Sequence, residues 1–409
     1  MKITIIKSLT LIMIAMLALT MLLCSCGQVE EVVEDEPEPV CEAAKVVKIG
    51  FLGPVSGTDS AEGAAARNAF LLAIDKANAS GKFPYIIDTI VMDDQSSENV
   101  AMAGAQHIVD DPLIVAVAGF WRSGPAASAI PVFKEAEIPL LIWGATREDL
   151  TNPDNMPYIM RSAPTHKQEN IPLAAMVVDG LGYQDWFLVA DDEAYGTGNL
   201  EAFTAELTAR DITPLGFAQV SKDNPDDLRF VAQRIKHSGA RSVYCGSAGD
   251  IGSELKHQLF EVGINNILFC GVSGMDRNEF RLLSVQEAEG VLAISPGVVL
   301  EQTAAGLKFI EDYKACDFTE PLGNFTAYAY DAALILLNAL SACGDAPTAA
   351  MMTEAIFSSV TTGLMGTTTF DEIGQTRNIP AYLNVIQDST WMRFNDSKYA
   401  SGERRLGGR

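Results

Sequence analysis

The run "VVKIGFLGPVSG" (Val46–Gly57), followed by "AEGAAARNAFLLAIDKANA" (Ala61–Ala79) and "YIIDTIVMDD" (Tyr85–Asp94), decides the fold. Val46–Gly53 is an apolar run that ends in Gly and Pro, the pattern of a buried strand that stops at a turn. Ala65, Ala69, Leu72, Ala73 and Ala77 then recur at helical spacing. The alternation continues. Helix Asn99–Val109, strand Leu113–Gly119, helix Gly124–Glu137 and the strand "IPLLIW" follow. Near-continuous apolar strands separated by helices imply a parallel sheet covered on both faces, a doubly wound α/β unit.

A second series begins after "YIMRSAP" (Tyr158–Pro164). Its expected elements are helix Lys167–Gly182, strand Trp186–Ala190, helix Gly198–Arg210, strand Thr213–Gln219, helix Leu228–Ser238, strand Ser242–Cys245, helix Gly249–Val262 and strand Asn266–Cys270. Helices over Glu301–Tyr313, Phe325–Ala342 and Thr348–Phe357 precede a last β segment, "GTTTFDEIGQTRNIPAYLNVIQDSTW". Two α/β lobes are implied. Ligands of open α/β sheets bind beyond the carboxyl ends of the strands. Those ends carry Asp93-Asp94, Trp121-Arg122-Ser123-Gly124 and Gly144-Ala145-Thr146 in the first series, and Asp191–Gly196, Gly246–Asp250 and Gly271–Gly274 in the second. Hydroxyls and unpaired amides at helix starts suit an anionic oxygen, although Ser and Thr also serve there as simple helix caps.

The 409 residues are 48% hydrophobic and 20% charged, a globular composition long enough for two or three domains. Lys and Arg total 29 against 53 Asp and Glu, a net charge of −24 that repels nucleic-acid phosphates. Nucleic-acid partners are therefore disfavoured. The four histidines (His107, His166, His237 and His257) are scattered, and no HExxH, GxSxG or Walker pattern occurs. Catalysis, a metal site and a bound cofactor are not expected.

Lys2 and Lys7 precede an uncharged apolar run, Leu9–Leu23, of secretory-signal length. Leu23-Cys24-Ser25-Cys26 resembles a bacterial lipobox, which makes residues 1–25 a lipoprotein signal peptide and Cys26 the lipidated N-terminus. An uncleaved membrane anchor is disfavoured because the run is short for a span. Residues 26–45 carry Glu30, Glu31, Glu34, Asp35, Glu36, Glu38 and Glu42 with Pro37 and Pro39, and read as an extended acidic tether. The expected location is extracytoplasmic and lipid-anchored to the bacterial membrane. Of seven cysteines, Cys41, Cys245, Cys270, Cys316 and Cys343 remain after processing. A sheet of order 2-1-3-4-5 places the strands ending at Cys245 and Cys270 side by side, which suggests that these two thiols can pair.

In this order, "IGFLGPVSG", "DDQSSENVAMAGAQHIVDD", "AGFWRSGPAASAIPVFKEAEIPLLIWGATREDL", "YIMRSAP", "DDEAYGTG" and "GTTTFDEIGQ" resemble the leucine/isoleucine/valine-binding branch of the ABC-transporter substrate-binding proteins. The likeness runs from Val46 to Trp391. It implies a type I periplasmic-binding fold: an N-terminal lobe (46–162 and 296–371) and a C-terminal lobe (163–295 and 372–409). Three hinge crossovers join them, near Arg161–Pro164, Ile294–Gly297 and Phe370–Gly374. It also implies capture of an amino-acid-like or carboxylate ligand between the lobes and delivery to a permease. A ligand-sensing receptor module is the rival reading, disfavoured because "SGERRLGGR" follows the lobes without an apolar helix.

Carried over residue by residue, Ser123, Thr146 and the Gly144 backbone hold the ligand carboxylate, and Tyr195 closes from the second lobe. The family's acidic ammonium partner is replaced by Ser273. That change argues for a weakly charged, amide-like or aromatic ligand in place of a branched-chain amino acid. Glu62 or Asp250 is then the candidate partner for a cation, with Trp121 as a stacking surface. Mass spectrometry of membrane-extracted protein should find a diacylglyceryl-modified N-terminus at Cys26; an intact Met1 would contradict this.

Overall fold

A computed structural model describes residues 45–408 apart from 222, 223, 225, 276, 277, 324, 378 and 379. The expected signal peptide, Cys26, Cys41 and all of the acidic tether before Lys45 lie outside the described residues.

The first sheet has the order β2-β1-β3-β4-β5, all parallel. Its strands are β1 (Val46–Gly53), β2 (Ile86–Asp93), β3 (Ile114–Ala118), β4 (Leu140–Ile142) and β5 (Ile159–Arg161). Alternate side chains go to opposite faces. Ile49, Phe51, Ala116 and Ala118 pack against α1 (Ser60–Ala79), α9 (Ala304–Ala315), α10 (Thr326–Cys343) and α11 (Ala349–Phe357). Leu52, Ile114 and Val117 pack against α2 (Glu98–Val109) and α3 (Ser123–Glu135). Helix α10 is long and apolar enough to cross a membrane, yet most of it is buried, as befits a core helix.

The second sheet repeats the order and extends it. It contains β6 (Trp186–Asp191), β7 (Gly216–Val220), β8 (Ser242–Cys245), β9 (Leu268–Gly271), β10 (Leu292–Pro296), β13 (Ala381–Gln387) and β14 (Thr390–Arg393). The arrangement is β14-β13-β10-β9-β8-β6-β7, with β13 and β14 antiparallel additions. One face packs on α6 (Asp226–Ser238) and α7 (Gly249–Glu261), the other on α4 (His166–Ala174) and α5 (Ala194–Thr208). A short helix, α8 (Val285–Ala288), precedes β10. The chain passes between the sheets after β5, after β10 and again before β13.

Two local expectations differ from the structure. The last β segment is not one unit, because β11 (Thr361–Gly363) and β12 (Gly366–Thr368) form their own hairpin. Asp331 of α10 holds its turn by accepting the Leu364 and Met365 amides at 2.7 and 2.8 Å. Helix α5 begins at Ala194, four residues before the expected start, so Tyr195 sits in its first turn. Gly196 and Gly198 in its first turns are required by close packing. A Cβ on Gly196 would lie 2.4 Å from Asp191 Oδ1, and one on Gly198 2.2 Å from His166 Nδ1.

The Cys245–Cys270 pairing is also overturned. The two strands are neighbours, but Tyr244 is opposite Cys270 and Cys245 is opposite Gly271. A one-residue offset sends the side chains to opposite faces. Cys245 packs with Val189 and Val243, and Cys270 with Leu188 and Leu268. Both thiols are free, as are Cys316 and Cys343. Native alkylation followed by non-reducing peptide mapping should label exposed Cys316 quickly and label Cys245 and Cys270 only after unfolding; a 245–270 cross-linked peptide would contradict this register.

Candidate functional site

The carboxyl ends of both sheets face one cleft of about 530 Å³. On the first bank, β3 leads into the loop that carries Trp121 and Arg122, and α3 starts at Ser123. Its first-turn amides have no intrahelical acceptor and lie at the positive end of the helix dipole. Pro125 fits there because an amide hydrogen is dispensable so close to a helix start. Ser123 Oγ accepts the Arg147 amide at 3.3 Å, which leaves its own proton to donate. Beyond β4, Gly144 lets the backbone approach Trp121; a Cβ would stand 3.1 Å from the ring. Thr146 is 3% exposed, and its hydroxyl has no partner among the described residues. A buried hydroxyl costs free energy until something bonds it.

The Gly144–Arg147 loop is held from behind by Arg161, which is 0% exposed. Its guanidinium donates to the carbonyls of Ala145 and Arg147 at 3.1 and 2.7 Å, to Thr151 Oγ1 at 2.9 Å and to Gln375 Oε1 at 2.6 Å. All four acceptors are neutral. Burial lowers the Arg161 pKa to about 10, opposed by Glu148, Asp149 and Asp371, so it stays charged at neutral pH. Gln375 in turn donates to Ala163 O and Gln168 Oε1.

On the second bank, Tyr195 OH accepts the Gly274 amide at 3.0 Å, and the tyrosine ring meets His166 edge to face. Burial holds the His166 pKa at about 3, helped by Arg161 and Arg147, so this ring is neutral. Ser273 is 3% exposed and donates its hydroxyl to Glu169, 2.8 and 2.9 Å from the two carboxylate oxygens. Glu169, in the first turn of α4, is 0% exposed. Burial raises its pKa to about 7 against the opposing Ser273 bonds. An acid therefore stands directly behind the position where the sequence shows only a serine.

Arg122 spans the cleft. Its Nε and Nη2 bond Asp59 at 2.5 and 3.1 Å on the first bank, and its Nη1 meets Glu193 at 3.0 Å on the second. Asp59 also accepts Ser96 Oγ at 2.6 Å. Of the sequence candidates, Ser123, Thr146, Gly144, Trp121, Tyr195, Ser273 and Asp250 line this cleft together. Glu62 does not: it lies on α1 against Gly323, where a Cβ would come 2.0 Å from Glu62 Oε2. Trp121 stacks on Trp143 at 6.1 Å and meets Phe325 edge-on at 4.9 Å, so it is both core packing and cleft wall.

Residues 46–389 match the profile of the periplasmic binding protein family. The chain belongs to that family. It is similar to the Leu/Ile/Val-binding protein homolog 3 of Brucella melitensis, 25% identical over 333 residues that cover 80% of this chain and 88% of the relative. It is also similar to an amino acid binding protein of Pseudomonas aeruginosa, 25% identical over 301 residues covering 73% of this chain and 79% of that one. The fold matches the branched-chain amino acid transporter substrate-binding protein LivJ from Streptococcus pneumoniae in complex with isoleucine. That match has a TM-score of 0.74 at 22% identity and covers 85% and 98% of the two chains. A solute-binding protein from Rhodopseudomonas palustris in complex with 3,4-dihydroxybenzoic acid matches with a TM-score of 0.72 at 21% identity, covering 85% and 95%.

Sequence reading missed Glu169, Arg161 and the Asp59–Arg122–Glu193 bridge of this periplasmic binding protein. Glu169 carries no signal in the sequence beyond being one of many acids, here in the first turn of a helix. Arg161 alone had a signal, being a lone base in the apolar segment "YIMRSAP". Arg161→Lys removes the planar fork and leaves buried carbonyls unpaired. It should lower unfolding free energy by roughly 2–4 kcal/mol in urea titrations; unchanged stability would show that the network is dispensable.

Proposed function

We propose that this periplasmic binding protein captures an amino-acid-like ligand in the cleft between its two sheets and delivers it to an ABC-transporter permease, tethered outside the cytoplasm by a lipid on Cys26. The observation that carries the reading is the pairing of opposite chemistries across one cleft. On one bank, with Ser123, is the buried hydroxyl of Thr146, which has no partner among the described residues, and Ser273 offers an oxygen backed by the Glu169 carboxylate.

The ligand carboxylate accepts hydrogen bonds from Ser123, Thr146 and the first-turn amides of α3. The ligand ammonium donates to Ser273 Oγ, whose own proton is already committed to Glu169. The serine thereby transmits a negative charge that it does not carry. The hinge segments of this reading are Arg161–Pro164, Ile294–Gly297 and Phe370–Gly374, close to the points where the chain leaves one sheet for the other. Tyr195 and Arg122 act at the closing edge, and closure is driven by contacts that the ligand makes only when both banks meet it.

Two measurements test this reading. Ser123→Ala with Thr146→Val should weaken amino-acid binding by roughly 1–3 kcal/mol in calorimetry; undiminished affinity would refute the assignment. The second concerns pH. Glu169 is held neutral at low pH by burial, and its neighbours Tyr244 and Tyr328 are pushed to higher pKa, so neither tyrosine titrates in this range. A raised folded-state pKa means the folded state binds the extra proton. Glu169 therefore withdraws stability from the ligand-free protein as pH rises from the ordinary glutamate value through about 7. A ligand ammonium prefers the ionised form. Affinity should rise through that window in the native protein and stay flat in Glu169→Gln; equal pH profiles would contradict the assignment.

A further inference from the structure

We infer that the ligand carries a second positive charge, beyond its α-ammonium, and is a basic amino acid or a close analogue; this rests on the amino-acid-binding reading above. The cleft lining contains five carboxylates, Asp59, Glu98, Asp192, Glu193 and Asp250, and a single basic residue, Arg122. That arginine is already shared between Asp59 and Glu193. The carboxylates of Glu98, Asp192 and Asp250 take no hydrogen bond or ion pair from any described residue. The lining therefore carries a formal charge of about −4, and concave low-dielectric walls focus such a field on whatever enters.

A second observation fixes which end of the ligand is anionic. The buried hydroxyl of Thr146 lines the same cleft without a partner among the described residues and asks for an acceptor. The site thus has one place for a carboxylate and an excess of acids elsewhere. A lone carboxylate ligand would meet repulsion from the lining, and a neutral zwitterion would leave the excess uncompensated. A ligand of net charge +1 offsets it. The apolar lining agrees, because no Leu, Ile, Val or Met side chain faces the cleft to hold a branched aliphatic group. Trp121 and Phe325 are its broad apolar faces, suited to a methylene stem or a planar guanidinium.

The test is calorimetry on the full chain with lysine, arginine, leucine and cadaverine, at about 50 mM and about 300 mM salt. Lysine or arginine should bind about tenfold or more tighter than leucine at low salt, and the margin should shrink at high salt. Asp192→Asn with Asp250→Asn, both at exposed positions, should lower the lysine-to-leucine preference about tenfold. Leucine binding as tightly as lysine, or an unchanged preference in the double variant, overturns this inference. In that case, leucine binding that remains sensitive to Ser123→Ala with Thr146→Val leaves the amino-acid-binding reading standing. Cadaverine binding as tightly as lysine, or no amino acid binding at all, overturns both.

Discussion

The arrangement depends on a buried cation that makes no ion pair among the described residues. Arg161 gives its donors to two loop carbonyls, a threonine hydroxyl and a glutamine side chain, all out of water. Four of its five N–H donors are thereby engaged, which is what makes a guanidinium tolerable out of water. That requirement fixes everything it touches. The two carbonyls belong to the residues on either side of Thr146, so these bonds hold the loop that presents its hydroxyl to the cleft. Gln375 comes from the last passage of the chain between the sheets, and Thr376 N bonds the Arg161 carbonyl at 3.0 Å. The Thr146 end of the cleft and a connection between the two halves are thus parts of one hydrogen-bonded unit.

Around that unit the electrostatics run in two directions. The positive charge of Arg161 and the start of α3 favour an anionic oxygen near Ser123 and Thr146. The remainder of the cleft is acidic. Arg122 joins the banks through Asp59, which is nearly fully buried, and Glu193, which is partly exposed. Burial disfavours the charged form of Arg122, but Asp59 and Glu193 more than offset this and hold its pKa above the ordinary arginine value. The bridge is made in this structure, and its two carboxylates come from different halves of the chain.

Most of the architecture was legible because it rests on local periodicity. Val46–Gly53 is a strand at the expected bounds, and so is Ser242–Cys245. Register was not legible: strand adjacency placed Cys245 next to Cys270, and a one-residue offset put them on opposite faces. At the cleft, residues on strand-end loops were found where their position in the βα pattern put them. Glu62 was not, because its place in a helix first turn says nothing about which neighbour, here Gly323, fills the space before it. Glu169 was invisible for a related reason. Its contact with Ser273 joins residues 104 positions apart, and only the packing of α4 under the β9 turn brings them together.

The most direct test of the two-ended cleft is a crystal structure of the protein with a bound amino acid. The account predicts ligand carboxylate oxygens within roughly 2.7–3.2 Å of Ser123 Oγ and Thr146 Oγ1, and the α-ammonium at a similar distance from Ser273 Oγ with the Glu169 contact retained. A ligand whose carboxylate points to Ser273, or whose ammonium is held by another residue with Ser273 left to Glu169 alone, would contradict it.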